Sequence, residues 1–193
     1  MRTAFVLTTD LTSPRTLSSE NVLKRVGFDV QLVQHIPNED MVLSNKLSMQ
    51  SIYQKIIDGD LDYGYVFEND INILDEIRLP EIIQYESISP MFFYMGVCCY
   101  NPNISIQDIS VEGHPVTQVS GGIRGLHAIG LSKEGAAELL KFSMESTESY
   151  MDVILEEFSK KYPSNVVRYD LQSYIRGHRG VFFQDRRTFP SEI

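Results

Sequence analysis

The opening of the chain constrains its fold most. Ala4-Phe5-Val6-Leu7 is an unbroken apolar run. A run with no polar alternation reads as a strand buried on both faces, as in a parallel sheet. Asp10 to Arg15 follows as a polar loop holding Pro14. Ser18 or Ser19 is the expected cap of a helix, with Glu20 in its first turn. Val22, Leu23 and Val26 give that helix one apolar face, and Gly27 ends it. Phe28 to Val33 reads as a second strand. Strand, helix and strand in this order predict a β-α-β unit with a right-handed crossover, and so an α/β fold.

The rest of the chain continues the alternation. Leu43, Leu47, Ile52, Ile56 and Ile57 have helical spacing, closed by Asp58-Gly59-Asp60. Tyr63 to Phe67 is a third strand, running directly into Glu68-Asn69-Asp70. Met91 to Tyr100 is the best candidate for a central strand, and Asn101 to His114 reads as a polar loop. Val116–Val119 and His127–Leu131 are short strands separated by the glycine-rich Ser120 to Gly125. Ser132 caps a helix through Ala136, Leu139, Leu140 and Phe142. A last helix runs from Glu148 to Lys160 and stops at Pro163. Val166–Tyr169 and Val181–Phe183 are late strands. No repeat, low-complexity run or linker interrupts residues 1–193, so one domain is expected.

Charge narrows the partners. The net charge of -9 argues against nucleic acid and anionic membrane surfaces. Arg168, Arg176, Arg179, Arg186 and Arg187 cluster near the C-terminus with His178, enough for a phosphate pocket. Cys98 and Cys99 are adjacent, a poor geometry for a disulfide, so both read as buried free thiols in a reducing compartment. No segment reaches the roughly 18–20 apolar residues of a membrane helix, and the first apolar run is too short for a signal peptide. A cytoplasmic protein without a transmembrane segment is the expectation.

Glu68 and Asp70 fall where an open α/β sheet binds ligands, at the carboxyl end of a strand. Two carboxylates one residue apart suit a hard cation such as Mn²⁺ or Mg²⁺. Taken alone, the same pattern is also that of a solvated turn in which Asp70 caps the next element.

Four stretches, in order along the chain, resemble glycosyltransferase family 25, the lipopolysaccharide-biosynthesis and collagen-glycosylating group. They are Phe5-Val6-Leu7 with Arg15; Val42 to Ser48 followed by Tyr65-Val66-Phe67-Glu68-Asn69-Asp70-Ile71; Gly125 to Ala136; and Phe182-Phe183-Gln184 through Ser191-Glu192-Ile193. The chain departs from the family pattern at Asn69, where the middle acid stands, at Asn45, where His is usual, and at His127, where Tyr is usual.

The resemblance implies a GT-A (Rossmann-like) fold, a mixed, mainly parallel sheet flanked by helices. It implies a metal-dependent enzyme, with Mn²⁺ or Mg²⁺, that moves a sugar from a nucleoside diphosphate sugar, UDP foremost, to a glycan or glycoconjugate hydroxyl with inversion. Asp70 then ligates the metal, with Glu68 as ligand or ribose contact and His178 as a third ligand. Thr8, Thr9, Arg15, Lys46, Glu68, Asn69, Gly121, Gly122 and Arg179 bind the nucleotide-sugar. Asp152 is the first candidate for the base and Glu148 the second. Bland readings stay open beside these: Lys46 on a solvated helix face, Gly121 and Gly122 in a plain hairpin, His127 as a satisfied buried histidine, and Asp152 as a helix-surface acid. Two other functions remain open. One is a nucleotide- or glycan-binding module without turnover. The other is a Mg²⁺-dependent phosphatase with Asp10 as nucleophile.

Overall fold

A computed structural model describes residues 2–98, 105–111 and 114–190. The opening unit forms as its pattern predicts. β1 (Thr3–Thr8) and β2 (Asp29–Gln34) pair in parallel, joined by α1 (Pro14–Val26). The helix starts earlier than Ser18. Its cap is Ser13, whose hydroxyl accepts the Thr16 N–H, and Pro14 takes the first helical position. Proline needs no N–H there, and its fixed φ suits the first turn, so the loop residue is the helix start. Gly27 closes the helix at φ 117°, a conformation cheap only for glycine.

Asp40 caps α2 (Met41–Asp58) by accepting the Val42 and Leu43 N–H groups. β3 (Tyr63–Glu68) pairs in parallel with the other edge of β1. Two elements that carry little sequence signal follow, β4 (Ile71–Ile73) and α3 (Leu79–Ile88). β5 (Phe92–Cys98) is buried along its whole length. The expected loop over 101–114 is instead partly a strand: β6 (Ser105–Val111) pairs antiparallel with β7 (His114–Ser120). β8 (Arg124–Ser132), α4 (Lys133–Glu145), α5 (Met151–Lys161), β9 (Ser164–Val166), β10 (His178–Gly180) and β11 (Phe182–Gln184) complete the chain.

Among the described residues the main sheet is mixed, in the order β2-β1-β3-β8-β5-β9-β7-β6, with β10 on β5. β11 and β4 form a separate pair. β7 and β8 are not neighbours, so the glycine-rich segment between them is a crossing loop rather than a hairpin.

Side chains alternate across the sheet and build a core on each face. Phe5, Leu7 and Val66 pack with Met49, Ile52 and Ile56 of α2, Leu139 of α4 and Leu155 of α5. Ala4, Val6, Tyr65 and Phe67 pack with Val22, Leu23 and Val26 of α1. This places helices on both faces and leaves the strand ends open. β8 runs antiparallel between β3 and β5. The start of β8 therefore meets the ends of β1, β3 and β5 along one edge.

Candidate functional site

A cleft of about 400 Å³ opens along that edge. Its lining includes Leu7 and Thr9 after β1, Arg15 of α1, Glu68 to Asp70 after β3, Cys98 at the end of β5, Arg124 to His127 of β8, Tyr150 to Asp152 at the start of α5, and Gln184 and Arg186 beyond β11. The volume is that of a small-molecule site.

The acidic turn is held from below. Thr8 and Thr16 share a 2.6 Å hydroxyl hydrogen bond, and the Asn69 amide donates to the Thr8 hydroxyl at 3.0 Å. Thr8 is buried by this arrangement. It fixes the turn and does not line the cleft. The Asn69 side-chain amide, expected at a sugar or ribose hydroxyl, is likewise committed to Thr8. The third strand thus presents Glu68 and Asp70 to the cleft, while Asn69 ties the turn to β1 and α1.

Each carboxylate has a specific partner. Glu68 Oε2 accepts from Gln184 Nε2 at 2.6 Å. Asp70 Oδ2 pairs with Arg15 Nη2 at 3.1 Å, and both side chains are buried. Asp70 Oδ1 is buried without a hydrogen-bond partner, and so is Asp152 Oδ1. Burial raises the Glu68 carboxyl above the usual range, and the nearby Asp70 and Asp152 charges raise it further. Burial also raises Asp70, against the pull of Arg15 and Arg186. Asp152 is raised by burial and partly restored by the Leu126 and Gly125 N–H groups and by Arg124. Buried carboxylates of this kind favour protons or nearby positive charge, although no oxygens of all three come within 4.8 Å of one another.

Arg186 is the cation common to this edge, since its charge bears on all three carboxylates. Its Nη2 donates to Gln184 Oε1 at 3.0 Å, which aims it back at the cleft. Arg124 is held by Glu156 at 3.1 Å.

A second cluster sits beside the carboxylates. Cys98 Sγ lies 3.8 Å from His127 Nδ1 and 3.4 Å from His178 Nε2. All three residues are buried. Burial depresses His127 to about 3 and His178 to about 4, so both rings are neutral at physiological pH. Cys98 is a buried thiol outside any disulfide among the described residues, as expected. Cys99 lies outside the described residues, as do Ser191 to Ile193.

The cleft thus gathers Thr9, Arg15, Glu68, Asn69, Asp70 and Asp152 from the sequence-based set. Six others, besides Thr8, lie elsewhere. The Lys46 ammonium donates to the Ser146 and Glu148 carbonyls, bracing α2 against the α4–α5 turn. The Glu148 carboxylate accepts the Ser149 and Tyr150 N–H groups and so orders the approach to α5. Gly121 (φ 62°) and Gly122 (φ 67°) shape the crossing loop, where the Gly121 N–H meets Ser159. Arg179 stacks over the Tyr169 ring and donates to its carbonyl. His178, expected as a third ligand beside Asp70, faces Cys98 instead. Among the described residues, the one group of three His, Cys, Asp or Glu ligand atoms within 4.8 Å of one another is Cys98, His127 and His178. Asp10 accepts the Thr12 N–H and hydroxyl at an exposed turn and does not line the cleft, which removes the basis for a phosphatase nucleophile.

Sequence reasoning missed Arg124, Gln184 and Arg186 as cleft residues. Arg186 stood in the basic C-terminal cluster, but its approach to β3 depends on the β11–β4 pairing, which has no local signal.

No family model and no curated protein matches the chain. Solved structures do resemble it. A UTP-bound UGPase from Acinetobacter baumannii superposes with a TM-score of 0.57 over 86% of this chain and 85% of that one, at 11% identity. An apo UDP-glucose pyrophosphorylase reaches 0.46 at 8% identity, over 85% and 72%. A glycosyltransferase involved in glycosylating the major capsid of PBCV-1 reaches 0.39 at 11%, over 83% and 77%. No helix among the described residues is long and apolar enough to cross a membrane. What the first of these likenesses establishes is the fold: a mixed α/β sheet flanked by helices, shared with the UTP-bound UGPase.

Proposed function

We propose that the cleft binds a nucleoside diphosphate sugar, with uridine as the nucleoside, and that the chain transfers the sugar to a glycan hydroxyl as family 25 glycosyltransferases do. The observation that carries this reading is the pair of buried, unpartnered oxygens, Asp70 Oδ1 and Asp152 Oδ1, on two residues that line one cleft beside Glu68. Leaving such atoms unsatisfied costs about 1–3 kcal/mol each, so a ligand at this place has something to satisfy. The shared fold with a UTP-bound protein supports a uridine nucleotide.

The donor set fits Mn²⁺ or Mg²⁺, since hard carboxylate oxygens suit either ion. Asp70 and Glu68 would hold it, and its chemistry there is to offset the charge of the diphosphate. Arg15 and Arg186 add positive charge along the same path. Thr9 stands at the mouth of β1, beside the nucleotide. Asp152 is the base: its carboxylate takes the acceptor hydroxyl proton as the sugar carbon is attacked. Its raised pKa brings it closer to neutrality, which suits that role.

Thermal stabilisation by a panel of nucleotide-sugars, with and without Mn²⁺ or Mg²⁺, tests this. A UDP-sugar stabilises the protein only with metal, and Asp70→Asn abolishes the effect. A panel in which no nucleotide stabilises the protein with either ion would sink the reading. The likeness to the UTP-bound UGPase favours one second reading, nucleotidyl transfer at the same cleft. The products separate the two: sugar transfer releases UDP, nucleotidyl transfer from UTP releases pyrophosphate. Binding without any product leaves the silent binding module.

A further inference from the structure

Cys98, His127 and His178 come from three strands that meet at one point. His178 on β10 stands directly across from Cys98 on β5 in the antiparallel ladder, and His127 lies on the neighbouring β8. A tetrahedral ion bound at about 2.3 Å to sulfur and about 2.0–2.1 Å to nitrogen sets sulfur and nitrogen about 3.6 Å apart. The observed separations from Sγ are 3.8 Å to His127 Nδ1 and 3.4 Å to His178 Nε2. Both sulfur–nitrogen separations are close to that edge length, and the three ligand atoms lie within 4.8 Å of one another.

The surroundings are built for these rings. A Cβ at Gly96 would lie 2.4 Å from His127 Nε2, and one at Gly125 would lie 3.2 Å from its Nδ1. Gly180, at φ 106°, lets β10 close onto the Met95 carbonyl and Gly96, where a Cβ would clash at 2.6 Å. The Nε2 side of His127 faces the Phe182 carbonyl, without a well-aligned hydrogen bond. A carbonyl there favours the proton on Nε2 and leaves the Nδ1 lone pair for Cys98 or an ion between them.

We propose that Cys98 Sγ, His127 Nδ1 and an imidazole nitrogen of His178 bind one zinc-class ion, with a fourth coordination position open to the cleft. The softness of a thiolate and two imidazoles selects Zn²⁺ over the Mn²⁺ or Mg²⁺ that suits the carboxylates. Cys98 and His127 both line the cleft, so the open position faces it. Three protein ligands with one free position is the arrangement of an accessible zinc site, whereas four closed ligands make a purely structural one. Binding displaces the thiol proton of Cys98 to solvent, one proton per ion. The site stands apart from the nucleotide-sugar reading, because metal binding is measured without any nucleotide.

The reduced, chelator-treated protein titrated with Co²⁺ tests it. One Co²⁺ binds per chain and gives the intense thiolate-to-cobalt charge-transfer absorption, which one equivalent of Zn²⁺ bleaches. Cys98→Ser and His178→Ala lose the band, while Cys99→Ser and Asp70→Asn keep it. Zinc affinity in Cys98→Ser falls by more than the roughly 10–100-fold that loss of an outer partner costs. A wild-type protein with no such band overturns the proposal however the variants fold. A band that survives Cys98→Ser overturns it as well, because the thiolate then lies elsewhere.

Discussion

The carboxylate side and the thiol-imidazole side of the cleft differ in what they need from a ligand. Glu68, Asp70 and Asp152 are like in charge type, buried and raised in pKa, with two oxygens left unpartnered. Cys98, His127 and His178 are buried with both imidazoles neutral, and they pack against one another without a charge to offset. The first group carries an electrostatic cost until a cation or proton arrives. The second holds its shape unaided and offers soft lone pairs. On the proposed readings, the two sides would therefore sort two kinds of ion by ligand chemistry alone.

The largest expected effect breaks one side and spares the other. Asp70→Asn removes the Mn²⁺- or Mg²⁺-dependent stabilisation by a UDP-sugar and lowers turnover by at least about 10²-fold, the scale of losing one major transition-state contact. The same variant keeps its zinc occupancy, measured by elemental analysis after gel filtration. Loss of zinc together with the nucleotide response would mean that the two sides are one site.

Arg15→Met comes next. It strips Asp70 of its buried partner, and breaking such a pair costs about 3–5 kcal/mol. In a chain of this size that lowers Tm by on the order of 10 °C. The double variant Arg15→Met/Asp70→Leu regains much of the loss, because no unpaired charge remains. Equal melting of single and double variants would show that Asp70 does not depend on Arg15.

Gly96→Ala acts on the other side. Its Cβ would fall 2.4 Å from both His127 Nε2 and the Phe182 carbonyl oxygen. Overpacking of this kind costs about 1–3 kcal/mol, read by denaturant unfolding. Zinc affinity falls with it, since His127 must move. Full stability and full zinc affinity in this variant would show that β5 and β8 part easily at this point.

The two sides also differ in how far the sequence reveals them. The acidic turn follows a buried apolar strand, and its place at a strand end follows from the β-α-β pattern, so Glu68 and Asp70 are legible. Asp152 is legible only through the family resemblance. The thiol-imidazole cluster is not, because it depends on register. Cys98 meets His178 only once β10 pairs with β5, and nothing local in Arg176 to Gly180 dictates that pairing. A lone histidine on an apolar strand reads as a satisfied buried residue, which describes the burial of His127 but not its neighbours. α1 began at Pro14 because proline suits a first turn, whereas the apolar face alone suggested a later start. β6 carries a loop-like sequence because most of its side chains face solvent. An edge strand is held by backbone pairing with one neighbour, which needs no apolar pattern.

The smallest expected effect is a pH slope, and it compares the two sides within one protein. Glu68, pushed up to about 8, and the raised Asp70 and Asp152 bind protons more readily folded than unfolded. Their contribution is present at low pH and is lost as pH rises through that window. His127 and His178, depressed to about 3 and about 4, bind protons more readily unfolded, where the ordinary value is about 6.5. Their contribution is present above that value and is lost as pH falls. Below pH of about 6.5 the two slopes oppose each other and partly cancel. Between about 6.5 and about 8 the carboxylates act alone, so Tm in chelator declines across that interval. Mn²⁺ flattens the decline by replacing the lost protons as counter-charge, and Glu68→Gln flattens it without metal by removing the most strongly shifted group. A metal-free Tm that rises from pH 6.5 to 8 would mean that the carboxylates are not buried in solution, and the contrast between the two sides would fail on its acidic half.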